Sequence, residues 1–421
     1  MKVNILFKRL LLAKAIALMS VTSHSAYADA FIDALKDGKV DFSFRMRYEH
    51  VDDDARAEPE ADALTARTTL GYKTGTFHNV FGYIQFENTT PITSDDEYND
   101  TQNGNAGLPV IADPSNTEVN QGYLGFKFLE NSVIKVGRQI LTPRKAPFHR
   151  FLGTVLWRQN WQTQDAVTVS GSYKNFEYMG GYIWNNNTIF TTDRDMEAPI
   201  FNLKYNGFKY AKLQAYYYDL DFTNDSPANS STTIGGRING AYPILNDKTK
   251  LIYAGEFANQ TDTGENPNDY DANYYLIEGG FKTKFDNTFI KSLMAKVSYE
   301  VLESDQGTQG TVFRTPLATG HAYQGWADNF LLTPAAGIED TYFTMVATGK
   351  YDTKLIVSYH MLEAETGSFD YGDEIDIWFT KKFNKKYTVG LKYAAYDASS
   401  DAGNTKATDL SKFWAYVGFK F

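Results

Sequence analysis

The sequence predicts a transmembrane, up-and-down antiparallel β-barrel of about 18 strands. Three observations carry this. Apolar and polar residues alternate with period two in segment after segment. The connections between those segments alternate between short and long. The chain ends on Phe413-Trp414-Ala415-Tyr416-Val417-Gly418-Phe419-Lys420-Phe421, an alternating strand that stops on an aromatic residue. Successive side chains of a strand face opposite sides, so Phe413, Ala415, Val417, Phe419 and Phe421 make one apolar face, and Trp414, Tyr416, Gly418 and Lys420 an amphipathic one. A last strand ending on Phe421 also resembles the assembly signature of bacterial outer-membrane barrels, so an outer-membrane assembly machinery is an expected partner. A buried terminal strand of a soluble sandwich would alternate in the same way, so the other two observations decide the fold class.

The N-terminus points to export. Lys2, Lys8, Arg9 and Lys14 are basic, Leu10 to Met19 is apolar apart from Lys14, and Ala26-Tyr27-Ala28 supplies a small-residue cleavage site. Residues 1–28 read as a signal peptide and residues 29–421 as one barrel domain, with no internal repeat or linker. No Cys is present, which excludes disulfides, thiolate metal sites, Cys nucleophiles and a lipoprotein anchor. No later run reaches the roughly 18 apolar residues of a transmembrane helix, whereas a closed barrel crosses a membrane by satisfying its backbone internally. The expected location is the outer membrane of a Gram-negative bacterium, with lipid and lipopolysaccharide as neighbours. Aromatics make up 15% of the chain, including 29 Tyr and 29 Phe, as interfacial girdles require. Without residues 1–28 the net charge falls from −10 to −14, because that segment holds four basic and no acidic residues. Such a balance argues against nucleic-acid binding.

Along the chain, Ala30 to Lys36 forms a short periplasmic helix through Phe31, Ile32 and Leu35. The first strand sets Val40, Phe42, Phe44, Met46 and Tyr48 against Asp41, Ser43, Arg45, Arg47 and Glu49. Later examples are Leu293 to Val301 and Tyr387 to Ala395. Short connections fall at Lys73-Thr74-Gly75-Thr76, Leu129-Glu130-Asn131-Ser132, Tyr173-Lys174-Asn175, Asn206-Gly207, Tyr351-Asp352 and Asn384-Lys385-Lys386. Long ones span roughly Glu87 to Thr117, Leu141 to Thr163, Asn185 to Ala198, Gln260 to Asp271, Glu303 to Asp340 and Asp397 to Asp409. Tight periplasmic turns and long outer loops are the habit of outer-membrane barrels, and an even strand number puts both ends of the barrel in the periplasm.

The functional surface of such a barrel is its lumen. Polar strand faces supply Arg45, Arg47, Arg67, Lys127, Lys204, Arg237, Lys282, Lys296 and Lys392, against Asp41, Glu49, Glu87, Glu256, Glu278, Glu300 and Asp376. One segment departs from the overall acidity: Asn131 to Gln164 contains no Asp or Glu. It holds Lys135, Arg138, Arg144, Lys145, His149, Arg150 and Arg158, with Trp157 and Trp161. Arg clamps carboxylates bidentately and flat aromatics suit sugar faces. Folded into the barrel, the segment makes a basic, aromatic constriction that focuses field on anions. On an outer loop, the same arginines would bind lipopolysaccharide phosphates or pair with lumen acids.

Gly137-Arg138-Gln139, Arg150, Gly153, Trp157-Arg158-Gln159, Gln162 and Asp165-Ala166 form a strand–loop–strand pattern. A second pattern is His321-Ala322-Tyr323-Gln324-Gly325-Trp326-Ala327-Asp328, continuing to Phe330, Pro334, Gly337-Ile338 and Asp340. With Phe44-Arg45-Met46-Arg47-Tyr48-Glu49 of the first strand, these resemble the alginate-export family of outer-membrane channels. The resemblance implies an 18-stranded barrel that passes acidic polyuronate through an Arg-rich constriction. By motif position it places Arg47, Arg67, Arg138, Arg150, Arg158 and Asp165 on the pathway, to which the polar strand faces add Arg45 and Arg237 and the acid-free segment adds Arg144 and Trp157. His321, Tyr323 and Trp326 belong to a long loop that packs in or over the pore.

The expected function is therefore passive, selective passage of anionic saccharides. A porin with little charge preference is the alternative, and an outer-membrane enzyme the third reading. No cofactor or metal site is expected. His50, His78, His149, His321 and His360 are too scattered for a metal motif, and the Asp-rich loops lack calcium-loop spacing. No nucleophile-elbow, phosphate-loop or dinucleotide pattern occurs.

Overall fold

The computed structural model describes residues 25–144, 150–224, 226–245, 247–286 and 288–421. Most of the expected signal peptide, and Lys145 and His149 of the acid-free segment, lie outside them. Helix α1 (Ser25–Lys36) precedes the first strand and begins earlier than the sequence indicates. It rests on the first short turn, where Gly75 N–H donates to Ala34 O at 2.8 Å.

Eighteen strands follow. They are β1 (Lys39–Asp53), β2 (Glu60–Lys73), β3 (Val80–Pro91), β4 (Asn116–Leu129), β5 (Ser132–Gln139), β6 (Thr163–Tyr173), β7 (Phe176–Asn187), β8 (Asp193–Tyr205) and β9 (Ala211–Phe222). The second half comprises β10 (Ser231–Leu245), β11 (Thr249–Asp262), β12 (Asp271–Lys284), β13 (Ile290–Leu302), β14 (Ile338–Gly349), β15 (Thr353–Glu363), β16 (Asp370–Phe383), β17 (Tyr387–Ala398) and β18 (Leu410–Lys420). Each strand pairs antiparallel with its sequence neighbours, and β1 closes the sheet on β18 with Met46 opposite Val417. Closure leaves no unpaired edge. The fold is thus an 18-stranded antiparallel barrel.

Alternation assigns the faces. On β1, Arg47 and Glu49 are each 1% exposed while Tyr48 between them is 37% exposed. On β18, Trp414 is fully buried whereas Phe413 and Val417 face outward, and Lys420 shares the inward face of Trp414 and Tyr416.

Connections from even to odd strands are short, with left-handed backbone at Lys174, Tyr351, Asp352, Asn384 and Lys385, as tight hairpin turns require. The other end carries the long loops, at residues 92–115, 140–162 and 303–337. Two expected loops are shorter than their polarity implies. Glu87 belongs to β3, and the connection expected over Asn185 to Ala198 shrinks to residues 188–192. There the polar residues extend two strands past the apolar band, and Asn185, Asn186 and Asn187 pair with Asp195, Arg194 and Asp193. Polarity marks exposure to water, not the end of a strand.

The three longest loops turn inward. Tyr98 and Ile111 of the first pack on Val51, Ala61 and Ala63. The second and third join through a parallel bridge between Leu152 and Leu317, and Phe151 and Phe313 pack on the inward rings of Tyr216 and Tyr274. The apolar core therefore sits inside the barrel, between loops and wall.

Candidate functional site

The second inward loop carries the acid-free segment against β1 and β2. Arg45 donates from Nε to Gln159 Oε1 at 2.9 Å, from Nη1 to Leu156 O at 2.9 Å and from Nη2 to Arg158 O at 2.5 Å. All three acceptors are neutral. Arg47 donates to Trp157 O and to Asp113, lies 3.1 Å from Glu49 and stands over the Trp157 ring at 5.1 Å. Arg158 reaches Glu49 at 2.8 Å and Asp113 at 4.0 Å. Asp113 also accepts the Gln159 N–H at 2.7 Å. Burial opposes ionisation of Asp113, but Arg47 and Arg158 outweigh it and hold the carboxyl below its usual range. Burial likewise opposes the Arg158 charge, and Glu49 and Asp113 more than restore it.

Further arginines are matched in the same way. Arg67 donates to Glu87 at 2.7 Å and stacks on Trp161 at 3.7 Å. Trp161, Arg67, Thr69, Gln85, Ser43, Asp41 and Lys420 line a cavity of about 390 Å³ at the short-turn end. Arg237 donates at 2.7 Å to Glu256, which also takes Arg144 at 3.2 Å and the Tyr216 hydroxyl at 2.8 Å. Arg150 pairs with Glu300 at 3.0 Å, donates to Gln324 at 3.2 Å and lies 4.4 Å from the Tyr323 ring. Desolvating a charge costs several kcal/mol, which explains why each buried arginine meets a carboxylate or converging carbonyls.

The third loop is held by an ammonium in an aromatic cage. Lys392 Nζ lies 3.8 Å from the Trp326 ring, 4.3 Å from Trp157, 5.3 Å from Trp414 and 5.4 Å from Trp378. It donates to His321 Nε2. His321 stacks on Trp157 at 5.0 Å and donates from Nδ1 to Asp328 at 2.6 Å, and Asp328 lies 3.6 Å from Lys412. Burial, reinforced by Lys392, lowers the His321 pKa from 6.5 to about 3 despite Asp328. The neutral ring is what this network needs, with Nδ1 protonated and Nε2 accepting.

A depressed histidine pKa sets a pH dependence. The unfolded ring binds a proton below about 6.5, whereas the docked ring resists it down to about 3. Stability of the docked loop is therefore complete above about 6.5 and declines as pH falls toward 3. Around the ring stand Asp328, Lys392, Lys412 and Arg158, with Trp157 and Trp414. Protease cleavage of the 303–337 loop in folded barrels should rise between pH 7.5 and 4.5, and His321→Phe should flatten that rise. An unchanged slope in the variant would assign the pH effect to another group.

Most of the expected pathway residues meet at these inward loops, and two do not. Arg138 shares its strand face with Ile134 and Val136, and Val136 is 45% exposed on the outside. Arg138 pairs there with Asp165 at 2.9 Å and approaches Asp193 at 3.6 Å. Arg138 and Asp165 thus stand on the outer rim, not in the expected lumenal place. The preceding Gly137 has a φ of +126° and would put a Cβ 2.3 Å from Gly122 O, a close approach that only glycine allows. Sequence reasoning missed Asp113, which lies in a polar loop with no spacing signal. It also missed the cage, although Trp326, Trp378, Lys392 and Trp414 each stand at inward-facing or loop positions.

No protein-family model matches the chain, and no curated protein matches it. Solved structures do. Pseudomonas aeruginosa OpdK, solved with vanillate, superposes with a TM-score of 0.69 at 12% identity, over 92% of this chain and 99% of that one. The fold is shared with the Occ/Opd outer-membrane barrels. Acinetobacter baumannii OccAB2 gives a TM-score of 0.69 at 15% identity, again over 92% and 99% of the two chains. Pseudomonas aeruginosa OccD3 (OpdP) gives 0.66 at 12% identity, with 92% of each chain covered.

Proposed function

We propose that the protein is a passive channel of the Gram-negative outer membrane, selective for anionic saccharides of the alginate or oligouronate kind. The observation that carries this reading is the inward fold of residues 150–162, which lays Trp157 on Arg47 and Trp161 on Arg67 and brings oxygens of Gln159, Leu156 and Arg158 onto the Arg45 fork beside the lumen wall. Flat indoles stacked on Arg47 and Arg67, along the same wall as an Arg45 whose hydrogen bonds go only to neutral oxygens, suit a sugar ring bearing a carboxylate. The resemblance to alginate-export channels supports the same class of solute, and the Occ/Opd likeness supports a channel architecture.

A second reading, a porin with little charge preference, draws on the pairing of Arg67, Arg144, Arg150, Arg158 and Arg237 with carboxylates. Matched charges contribute little net field. Reversal potentials in planar bilayers under a KCl gradient separate the two. Anion preference, with current block by oligoguluronate but not by neutral maltooligosaccharides, is expected. Arg45→Gln should reduce both the preference and the block. Equal permeability to K⁺ and Cl⁻, with no oligouronate block, would leave the weakly selective porin.

A further inference from the structure

The lumen is asymmetric along its axis. Its middle and long-loop half balances charge, with Lys296 on Glu278 and the arginine pairs above. The short-turn half does not. Lys73, Lys127, Lys135, Lys212, Lys250, Lys282, Lys354, Lys382 and Lys420 lie on nine different strands, each within three residues of the strand's short-turn end. Alternation turns each of them inward. Lys250 follows the face of Glu256 and Ala254, Lys282 that of Glu278 and Tyr274, Lys354 that of His360 and Ser358, and Lys382 that of Asp376 and Glu374. Lys212 shares the face of Tyr216 and Tyr218, and Lys420 that of Trp414. Lys73 and Lys127 stand over the inward Phe81 ring at 4.7 and 5.8 Å, and Lys135 over Tyr123 at 4.5 Å.

Eight of the nine side chains are exposed and Lys135 is half-buried. Among the described residues none of them forms an ion pair. Inward acids at this end are Asp41, held by Tyr83 and Gln85 at 2.9 and 2.8 Å, and Glu177, which accepts from Asn206 at 2.9 Å. The chain is acidic as a whole, so a ring of one sign is not a reflection of composition. Ammonium groups around a mouth with low-dielectric walls raise the local concentration of anions by about tenfold or more. The Debye length, about 8 Å at physiological ionic strength, exceeds the spacing of adjacent strands, so fields from neighbouring lysines overlap along the wall of the mouth.

We propose that these nine lysines form an anion-concentrating ring at the periplasmic mouth, recruiting multivalent oxyanions (polycarboxylates or polyphosphates) from that side and making the channel rectify. The inference rests on the channel reading and goes beyond it, since it assigns capture to the periplasmic vestibule and not to the loop constriction. A fixed charge at one end of a pore fills that end with counter-ions under one voltage polarity and depletes it under the other.

The test is single-channel recording of the full mature chain in planar bilayers, with inorganic tripolyphosphate as probe. The chain lacks Cys, so Lys385→Cys in an exposed short turn, reacted with an impermeant thiol reagent, reports which compartment faces the ring. In 0.15 M KCl the current should be asymmetric in voltage. Tripolyphosphate should block from the short-turn side at about tenfold lower concentration than from the other. Both effects should fade in 1 M KCl, where the Debye length falls to about 3 Å. Lys250→Gln/Lys282→Gln/Lys354→Gln/Lys382→Gln, which removes four of the nine charges, should clearly reduce the asymmetry while the barrel keeps its faster gel migration before boiling. A linear current with equal block from both sides, or an asymmetry left unchanged by the quadruple substitution, overturns the ring. If anion preference persists in that case, the channel reading stands without it. A folded barrel that passes no ions overturns both.

Discussion

Asp113→Asn should release the inward loops from the wall of β1 while leaving the barrel closed. Asp113 is fully buried and serves Arg47, Arg158 and the Gln159 backbone at once. Removing one partner of a buried ion pair costs about 3–5 kcal/mol, because the remaining charge stays desolvated and unmatched. Here two guanidinium groups would be left with Glu49 alone. The barrel does not depend on this site, since its strands are held by their own ladders. The expected result is a protein that still migrates faster before boiling, yet shows rapid proteolysis within residues 92–115 and 140–162 and a larger, noisier conductance. Arg158→Gln in the same chain should restore part of the loss, because it removes one of the two unmatched charges. Wild-type protease resistance in the single variant would mean that the cluster contributes little to docking.

Val417→Arg should block assembly of the barrel itself. Val417 is 38% exposed on the outward face of the closing strand, opposite Met46 and Val389. Val417 lies three residues from the short-turn end of its strand, so a guanidinium there costs between the about 0–1 kcal/mol of the interface and the about 2–4 kcal/mol of the midplane, and it falls on a strand that must pair with both β1 and β17. Tyr416 is a poor inward control, since its hydroxyl accepts the Trp378 indole N–H at 3.0 Å and its ring packs on Trp157. Thr388 is better, because it faces the lumen beside the lysine-bearing end. Thr388→Arg should reach the outer membrane in near-normal amount, and Val417→Arg should not. Equal yields would mean that the outward face of β18 does not meet lipid.

The sequence by itself determined the barrel, the strand number and the direction of most side chains. These follow from a period of two that the backbone imposes locally, so Tyr48 against Arg47, or Val417 against Trp414, is legible from neighbours alone. The same count places Arg138 outside with Ile134 and Val136. The acid-free composition of the segment pointed the other way, and composition does not say which face a residue takes. Only the tertiary structure decided what each lumenal charge meets. Arg47 lies 66 residues from Asp113, and His321 lies 71 from Lys392. Any of several carboxylates would satisfy a given arginine equally well in sequence. The choice is made by how three long loops fold back into the barrel and by the cost of leaving a charge there unpaired.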